Sequence, residues 1–381
     1  MKIIIAPDSY KNCKSASEVA AALSRGIHSV LPDCNVVELP LADGGEGTLA
    51  ALHSACGGEM FYFPVVDPLG RTHTGSALVF HENGRKIAVV EAAQCIGIEL
   101  LTALELNPMK TSSAGLGMLI TAVMKTISPA VLVVGLGGSA SVDGGIGMLQ
   151  AMGARLYDTA AHEISGLATG ADLVKVNSMN LTEVLRLLNG CEIRILSDVT
   201  NFLCGEFGAA RVFGPQKGAS PKMVRELESA MFQYRQGLAP AVVDQQGDGA
   251  AGGLGFALRV FCGGKIVSGA EAVLYYQKFD QKIKDADVVI TGEGCSDGQS
   301  ACGKLCSVVA RHCRRLGVPV VLASGALTEG SERLEDLFDG VFSIASGPGK
   351  LDAAMAATEQ NLQAFGRNFA RIFRLIREKK C

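Results

Sequence analysis

The sequence predicts an α/β protein of two domains: a Rossmann-like, doubly wound parallel-sheet domain built from both ends of the chain, and an inserted α/β domain with a mixed sheet. Strand and helix patterns alternate at the two ends, which argues a parallel sheet covered by helices. The middle of the chain opens on short strand-like runs joined by tight-turn signals, an antiparallel or mixed pattern. At 381 residues the chain also exceeds what one typical core organises.

Taken in order, Lys2–Ala6 is a short apolar run that reads as a buried first strand, and Ser17–Leu31 carries apolar residues at helical spacing. Val36–Leu39 reads as a second strand, followed by a Gly-rich turn and a helix over Thr48–Ala55. After Gly57-Gly58 the pattern changes. Phe61–Val66, Gly75–Phe80 and Lys86–Glu91 are strand-like and are joined by Asp67-Pro68-Leu69-Gly70 and Glu82-Asn83-Gly84. Alternation resumes with Asp287–Thr291, Ser307–Leu316, Val318–Ala323 and Gly340–Ile344, then a long helical pattern from Leu351 to Ile376. Residues 1–60 with 281–381 are therefore assigned to the first domain and residues 61–280 to the inserted one.

Composition narrows the function. With 48% hydrophobic and 19% charged residues the chain is not disordered, and a net charge of −3 without a Lys/Arg block argues against nucleic acid or an anionic membrane as partner. A small molecule fits better. Met1–Ala6 is too short for a signal peptide, and the apolar stretches at Ala130–Val134 and Val318–Ala323 fall short of the roughly 20 residues of a membrane span. A cytoplasmic protein is expected, with its 12 scattered cysteines reduced. Cys295, Cys302 and Cys306, with His312 more distant, make a poor zinc spacing, for which buried or incidental thiols are the plainer reading.

The chemistry is carried by Gly-rich clusters. Glycine lets backbone N–H groups converge on anionic oxygens, and many of the 46 glycines sit beside Asp, Ser or Thr. Asp8-Ser9-Tyr10-Lys11 follows the first strand, where Lys11 can reach a phosphate or carboxylate; alternatively Asp8 or Ser17 caps the next helix and Lys11 is solvated. Asp43-Gly44-Gly45-Glu46-Gly47-Thr48 opens a helix with two carboxylates able to hold Mg²⁺ and N–H groups able to attract an anion, or else forms a capping box. Gly135-Leu136-Gly137-Gly138-Ser139-Ala140-Ser141 follows a strand and fits the dinucleotide fingerprint, with Asp158 about 20 residues on as a ribose acid. The loop is longer than that motif needs, and it suits wrapping phosphates better.

Further clusters are Ser197-Asp198-Val199-Thr200-Asn201, Phe213-Gly214-Pro215-Gln216-Lys217-Gly218, Gly249–Gly255, and Ile290–Gln299 followed by Gly303-Lys304. Each could equally be a surface turn. Walker, protein-kinase and Gly-x-Ser-x-Gly signatures are missing from the sequence.

These runs together resemble the type I glycerate kinase family over nearly the whole chain. The resemblance rests on Ile4–Lys11, Ala42–Thr48, Gly137–Ala140, Phe213–Ala219, Gly249–Gly253 and Val289–Gly294, in the family's order. It implies a flavodoxin-like domain and an inserted α/β domain with the active site in the cleft between them, and ATP, Mg²⁺ and D-glycerate as ligands, with 2-phosphoglycerate as the product in many members. Val142, Met118, Phe202 and Cys295 depart from the pattern, where Asn, an acid, Pro and Arg are usual. The lost charges at Met118 and Cys295 bear on affinity or substrate choice.

Phosphoryl transfer needs an anion cradle, a metal, an aligned hydroxyl and an acceptor for its proton. Asp198 is expected to take that proton, with Asp8 and Lys11 beside it in catalysis. Asn201, Ser9, Lys304 and Gln299 are expected to contact substrate. Gly137, Gly138, Ser139, Ser141, Gly44 and Gly45 are expected to bind nucleotide, and Asp43, Glu46 and Asp297 the metal. Two rivals are an NAD-dependent oxidoreductase of a hydroxy acid and a non-catalytic glycerate- or nucleotide-binding protein. A homodimer is carried as an expectation; 3-phosphoglycerate as the product stays open.

Overall fold

The computed structural model describes residues 1–298, 304–347 and 349–378, with side chains as far as Leu375. Among these residues the strands are, in chain order, β1 (Lys2–Ile5), β2 (Asn35–Glu38), β3 (Glu59–Val66), β4 (Thr72–Glu82), β5 (Arg85–Glu91) and β6 (Val131–Gly135). There follow β7 (Arg155–Tyr157), β8 (Ser178–Asn180), β9 (Glu192–Leu196), β10 (Lys265–Val267), β11 (Val288–Glu293), β12 (Val320–Ser324) and β13 (Gly340–Ser343). The chain divides into two compact units. The first comprises Met1–Asp43, Ala50–Ala55 and Ala270–Cys381, and the second Gly44–Leu49 and Cys56–Gly269.

The first unit holds a sheet of order β13-β12-β11-β1-β2 in which every pairing is parallel. A parallel sheet covered on both faces demands continuous apolar strands, and Ile3, Ile4, Ile5, Val289, Ile290, Val320 and Leu322 are all buried. Counted within this unit, the strand order is 2-1-3-4-5, the flavodoxin-like order, whose ligand crevice lies where connections diverge, here between β1 and β11. Helix Ala16–His28 begins at a capping box of Ser15 and Glu18, not at Asp8 or Ser17. The C-terminal pattern, expected as one helix, forms two, Leu351–Ala356 and Thr358–Glu378. The Thr358 hydroxyl donates back to the Ala354 carbonyl at 3.1 Å, a local bond that competes with the helical ladder at the break.

The second unit holds a six-stranded mixed sheet of order β10-β9-β6-β5-β4-β3. β3, β4 and β5 pair antiparallel, and β5, β6, β9 and β10 pair parallel. Asn83 and Gly84 both have positive φ, the type I′ geometry that a two-residue hairpin between β4 and β5 requires. Tyr234, Phe256 and Phe261 meet edge-to-face, with centroids 5.7 to 6.0 Å apart, inside the core of this unit. Every described cysteine is a free thiol, and no described helix is long and apolar enough to cross a membrane.

Candidate active site

In the first unit the predicted residues gather at the carboxyl ends of β1 and β11. The Ala6 and Asp8 N–H groups donate to the carbonyls of Ile290 and Gly292 at 2.7 and 2.8 Å, which extends the parallel pairing beyond the strands. Leu41 N–H donates to the Pro7 carbonyl at 2.9 Å and brings the Asp43 segment alongside. Asp8 accepts the Ser9 N–H at 2.7 Å, yet its carboxyl is pushed up to about 8, first by burial and then by Asp43, with Glu293 adding to it. Lys11 opposes that rise.

Lys11 sits exposed in a tight turn whose flanks, Tyr10 and Lys14, exchange backbone bonds at 2.8 and 2.9 Å. The buried Tyr10 hydroxyl anchors the turn on the Ala323 carbonyl at 2.7 Å. Glu293 also accepts the Ser296 hydroxyl at 2.8 Å, and the Cys306 thiol is driven well up by burial and by Glu293. Asp297 pairs with Lys304 at 3.3 Å. Gln299 lies outside the described residues.

In the second unit the carboxyl ends of β5, β6, β9 and β10 share one edge, and the Gly44–Leu49 segment lies across it. A Cβ on Gly44 would stand 2.8 Å from Leu196 Cβ and 2.9 Å from Gly269 Cα, so its place beyond β9 and β10 needs glycine, and its φ of +90° needs glycine as well. A Cβ on Gly137 would be driven into Gly45 Cα, which ties the loop after β6 to the same segment. Gly137→Ala is therefore expected to push the two segments apart, lowering kcat/KM by about a hundredfold, the scale of a 1 Å misplacement, and lowering the melting temperature as the backbone gives way. Steady-state kinetics beside a thermal melt checks this.

Asp198 follows β9 and accepts the Gly269 N–H at 3.0 Å. Glu91 ends β5 and accepts the Leu49 and Gly47 N–H groups at the start of helix Thr48–Cys56. The acid at this helix start is thus supplied by a neighbouring strand. Burial lifts Glu91 to about 7, and Glu46 adds to the rise.

The loop after β6 is held from beneath. Asp143 is buried and accepts the Ser113 N–H and hydroxyl at 2.8 and 2.7 Å, and the Gly145 and Gly147 N–H groups at 3.1 and 3.3 Å. Burial raises its carboxyl, and these four donors oppose the rise. Ser139 is buried and its hydroxyl accepts from Lys217. Gly252, with φ +70°, lies where any Cβ would strike the Ser141 carbonyl. The Gly249–Gly255 cluster therefore shapes this loop by close approach.

The three acids expected at the metal each have a neighbour: Asp43 acts on Asp8, Glu46 on Glu91, and Asp297 pairs with Lys304. Among the described residues no three acids, His or Cys stand ready as a metal cage, for zinc or otherwise. Asn201 spends its side-chain amide on the Phe207 carbonyl at 2.8 Å, and its own carbonyl accepts from Gly247 and Gly249. It shapes the loop after β9. The fingerprint for a dinucleotide fails. The helix after Gly135 starts only at Ile146, β7 pairs antiparallel with β8 instead of joining β6, and Asp158 is bound to the Ala160 and His162 N–H groups at 2.8 Å in a turn. β6 does pair parallel with β9, but about 60 residues on, so the short strand–helix–strand unit whose helix opens directly on the glycines, on which an NAD site is built, is not formed here.

Of the four departures, Val142 is buried in the core and Met118 packs against it, whereas Phe202 and Cys295 are exposed. Sequence reasoning passed over Glu91 and Glu293 as site residues. Each is an acid that ends an apolar strand, in Ile-Ala-Val-Val-Glu and Val-Ile-Thr-Gly-Glu, and that was the available signal.

Residues 3–374 match the model of the glycerate kinase family. Glycerate 2-kinase of Escherichia coli (strain K12) is 40% identical over 97% of each chain. Glycerate kinase of Haemophilus influenzae is 39% identical over 98% of each chain. A crystal structure provisionally assigned as glycerate kinase 2 from Salmonella typhimurium LT2 superposes with a TM-score of 0.81 at 37% identity, covering 99% of both chains. The chain belongs to the glycerate kinase family.

Proposed function

We propose that this kinase transfers the γ-phosphoryl group of ATP to the C2 hydroxyl of D-glycerate, giving 2-phosphoglycerate. The observation that carries the reading is the meeting of Gly44, Gly45, Gly137 and Asp198 at one edge of the second unit's sheet, which places backbone donors for phosphate beside a carboxylate. The 2-kinase name of the Escherichia coli relative supports the regiochemistry.

In the reaction a glycerate oxygen forms a bond to the γ-phosphorus as the bond from that phosphorus to the β,γ-bridging oxygen breaks. The hydroxyl proton passes to the Asp198 carboxylate, and ADP leaves. N–H groups of Gly137, Gly138 and Ser139, and of Gly44 and Gly45, donate to phosphate oxygens, fixed dipoles that stabilise charge developing in transfer, while the Ala140 N–H holds the loop on the Ile96 carbonyl at 2.7 Å. Lys11 and Lys304 offset the charge of phosphate or of the glycerate carboxylate, and Ser9, beside Asp8, contacts substrate.

Mg²⁺ fits the donor chemistry of Asp8, Asp43 and Glu293, since Asp8 is raised by burial first and then by the charges of Asp43 and Glu293. Mg²⁺ takes one or two protein carboxylates and completes its shell with phosphate and water, so a ready-made cage is not required. Held by these residues, it would supply positive charge to offset that of the phosphate being transferred.

Proton–phosphorus correlation NMR of the product tests the assignment. Coupling of phosphorus to the single C2 proton is expected; coupling to the C3 methylene protons would move the reaction to the other hydroxyl.

A further inference from the structure

The reaction above uses no residue of the Phe213–Gly218 cluster, and within that cluster Lys217 has unusual surroundings. Its side chain is buried in the second unit, only 3% exposed. The ammonium donates to the Ser139 hydroxyl at 3.0 Å and to the Ser141 carbonyl at 2.8 Å, so it lies directly under the loop after β6. A buried ammonium is normally matched by a carboxylate, because removing an isolated charge from water is costly. No carboxylate of the described residues pairs with Lys217. Asp143 is the ionisable group whose field reaches it, and Asp143 already spends its oxygens on Ser113, Gly145 and Gly147.

A second observation comes from the same loop. The Ser141 hydroxyl is wholly buried and has no hydrogen-bond partner. A cation without a contact anion and an unpaired hydroxyl thus adjoin the segment whose N–H groups the proposed reaction assigns to phosphate. A neutral loop packed only for its own stability would place neither there.

We infer that Lys217 is a positioning residue for nucleotide phosphate: its ammonium braces the 139–141 backbone from below, and its charge balances the oxyanion that the loop receives above. The chemistry it serves is a nucleoside polyphosphate. The inference rests on the assignment of the 137–141 loop to phosphate. Burial depresses the Lys217 ammonium to about 7, with Asp143 pulling the other way, so above that pH the side chain is largely neutral until an anion arrives. Phosphate binding and proton uptake are then linked.

Calorimetric titration of ADP at pH 8, in two buffers of different ionisation enthalpy, tests this on the full chain. Wild type is expected to take up close to one proton per ADP, with uptake fading below pH 7. Lys217→Met is expected to lose that uptake and to bind ADP about tenfold or more weakly, with binding of adenosine and D-glycerate unchanged. A merely structural lysine would not move the proton count. Equal uptake and ADP affinity within about twofold in the two proteins would overturn the inference. Lack of uptake in wild type would overturn it without need of the variant, so a Lys217→Met chain that fails to fold does not protect it. Gly137→Ala separates the underlying assignment: unchanged ADP affinity there removes the phosphate loop itself, whereas weakened ADP binding there with a silent Lys217→Met removes only the role of Lys217.

Discussion

Asp198→Asn is expected to lower kcat by about 10²–10⁴-fold, the usual worth of a positioned general base, while the melting temperature and ATP affinity stay at wild-type values. Asp198 follows β9, and its Oδ1 accepts the Gly269 N–H at 3.0 Å. Asparagine has the same shape and keeps a carbonyl oxygen for that donor, so the contact survives and only the ability to take a proton is lost. Asp198→Ala would confound the two, since it also strands the Gly269 N–H. Turnover of Asp198→Asn near that of wild type would remove the carboxylate from the proton-accepting role and return attention to Asp8.

The second large effect concerns the acids at the ends of β1 and β11. Asp43 is the second cause, after burial, of the elevated Asp8 carboxyl. Asp43→Asn is expected to let Asp8 ionise at lower pH and at the same time to raise the Mg²⁺ concentration for half-maximal rate by roughly tenfold or more, the scale of one lost charge-assisted contact. A magnesium titration of the rate checks it, and an unchanged half-saturation would count against these acids as metal ligands.

The same cluster governs stability. Asp8 ionises near 3.8 as an ordinary side chain and at about 8 in the folded chain, so between those values the native state holds a proton that the unfolded state releases. Its contribution is therefore full below about 4 and is lost as pH rises through about 8. Asp8→Asn is expected to flatten that decline and to melt higher than wild type at pH 8.5 in the absence of metal. Lys217, depressed by burial, contributes with the opposite slope above pH 7, but both proteins share it and it cancels in the comparison. Parallel melting curves for Asp8→Asn and wild type from pH 5 to 8.5 would show that Asp8 does not carry this linkage.

Such a site trades stability for function, and that also explains what the sequence disclosed and what it withheld. The strands of the first unit were legible because parallel, doubly covered strands must be continuous apolar runs, as in Lys-Ile-Ile-Ile and Val-Val-Leu-Ala. The β4–β5 hairpin was legible because Asn83-Gly84 can satisfy positive φ at both positions. The convergence of Gly44, Gly137 and Asp198 was legible only as a list of Gly-rich strand ends, since parallel strands deliver such ends to one edge whatever their separation in the chain.

Pairing of the acids was not legible. Nothing in the spacing of Asp43, Glu46 and Asp297 says that they address Asp8, Glu91 and Lys304 respectively, because Asp8 and Glu91 stand at the ends of other strands and Lys304 at the start of helix Leu305–Leu316. Glu91 was missed for a related reason. Its function at the start of helix Thr48–Cys56 is a tertiary contact 42 residues away, whereas local reading looked for the capping acid inside Asp43–Thr48. At Asn201 the spacing could not foretell that Nδ2 would donate to the Phe207 carbonyl, because an amide beside a Gly-rich loop looks the same whatever it faces.

The account stands on phosphate-binding backbone and carboxylates of this chain acting in a single ATP-dependent transfer. Release of ADP followed with and without D-glycerate and with and without Mg²⁺ measures that directly. ADP should appear only when ATP, D-glycerate and Mg²⁺ are all present, one equivalent for each phosphoglycerate formed. Binding of ATP and D-glycerate without ADP release, or ADP release indifferent to D-glycerate, would contradict it.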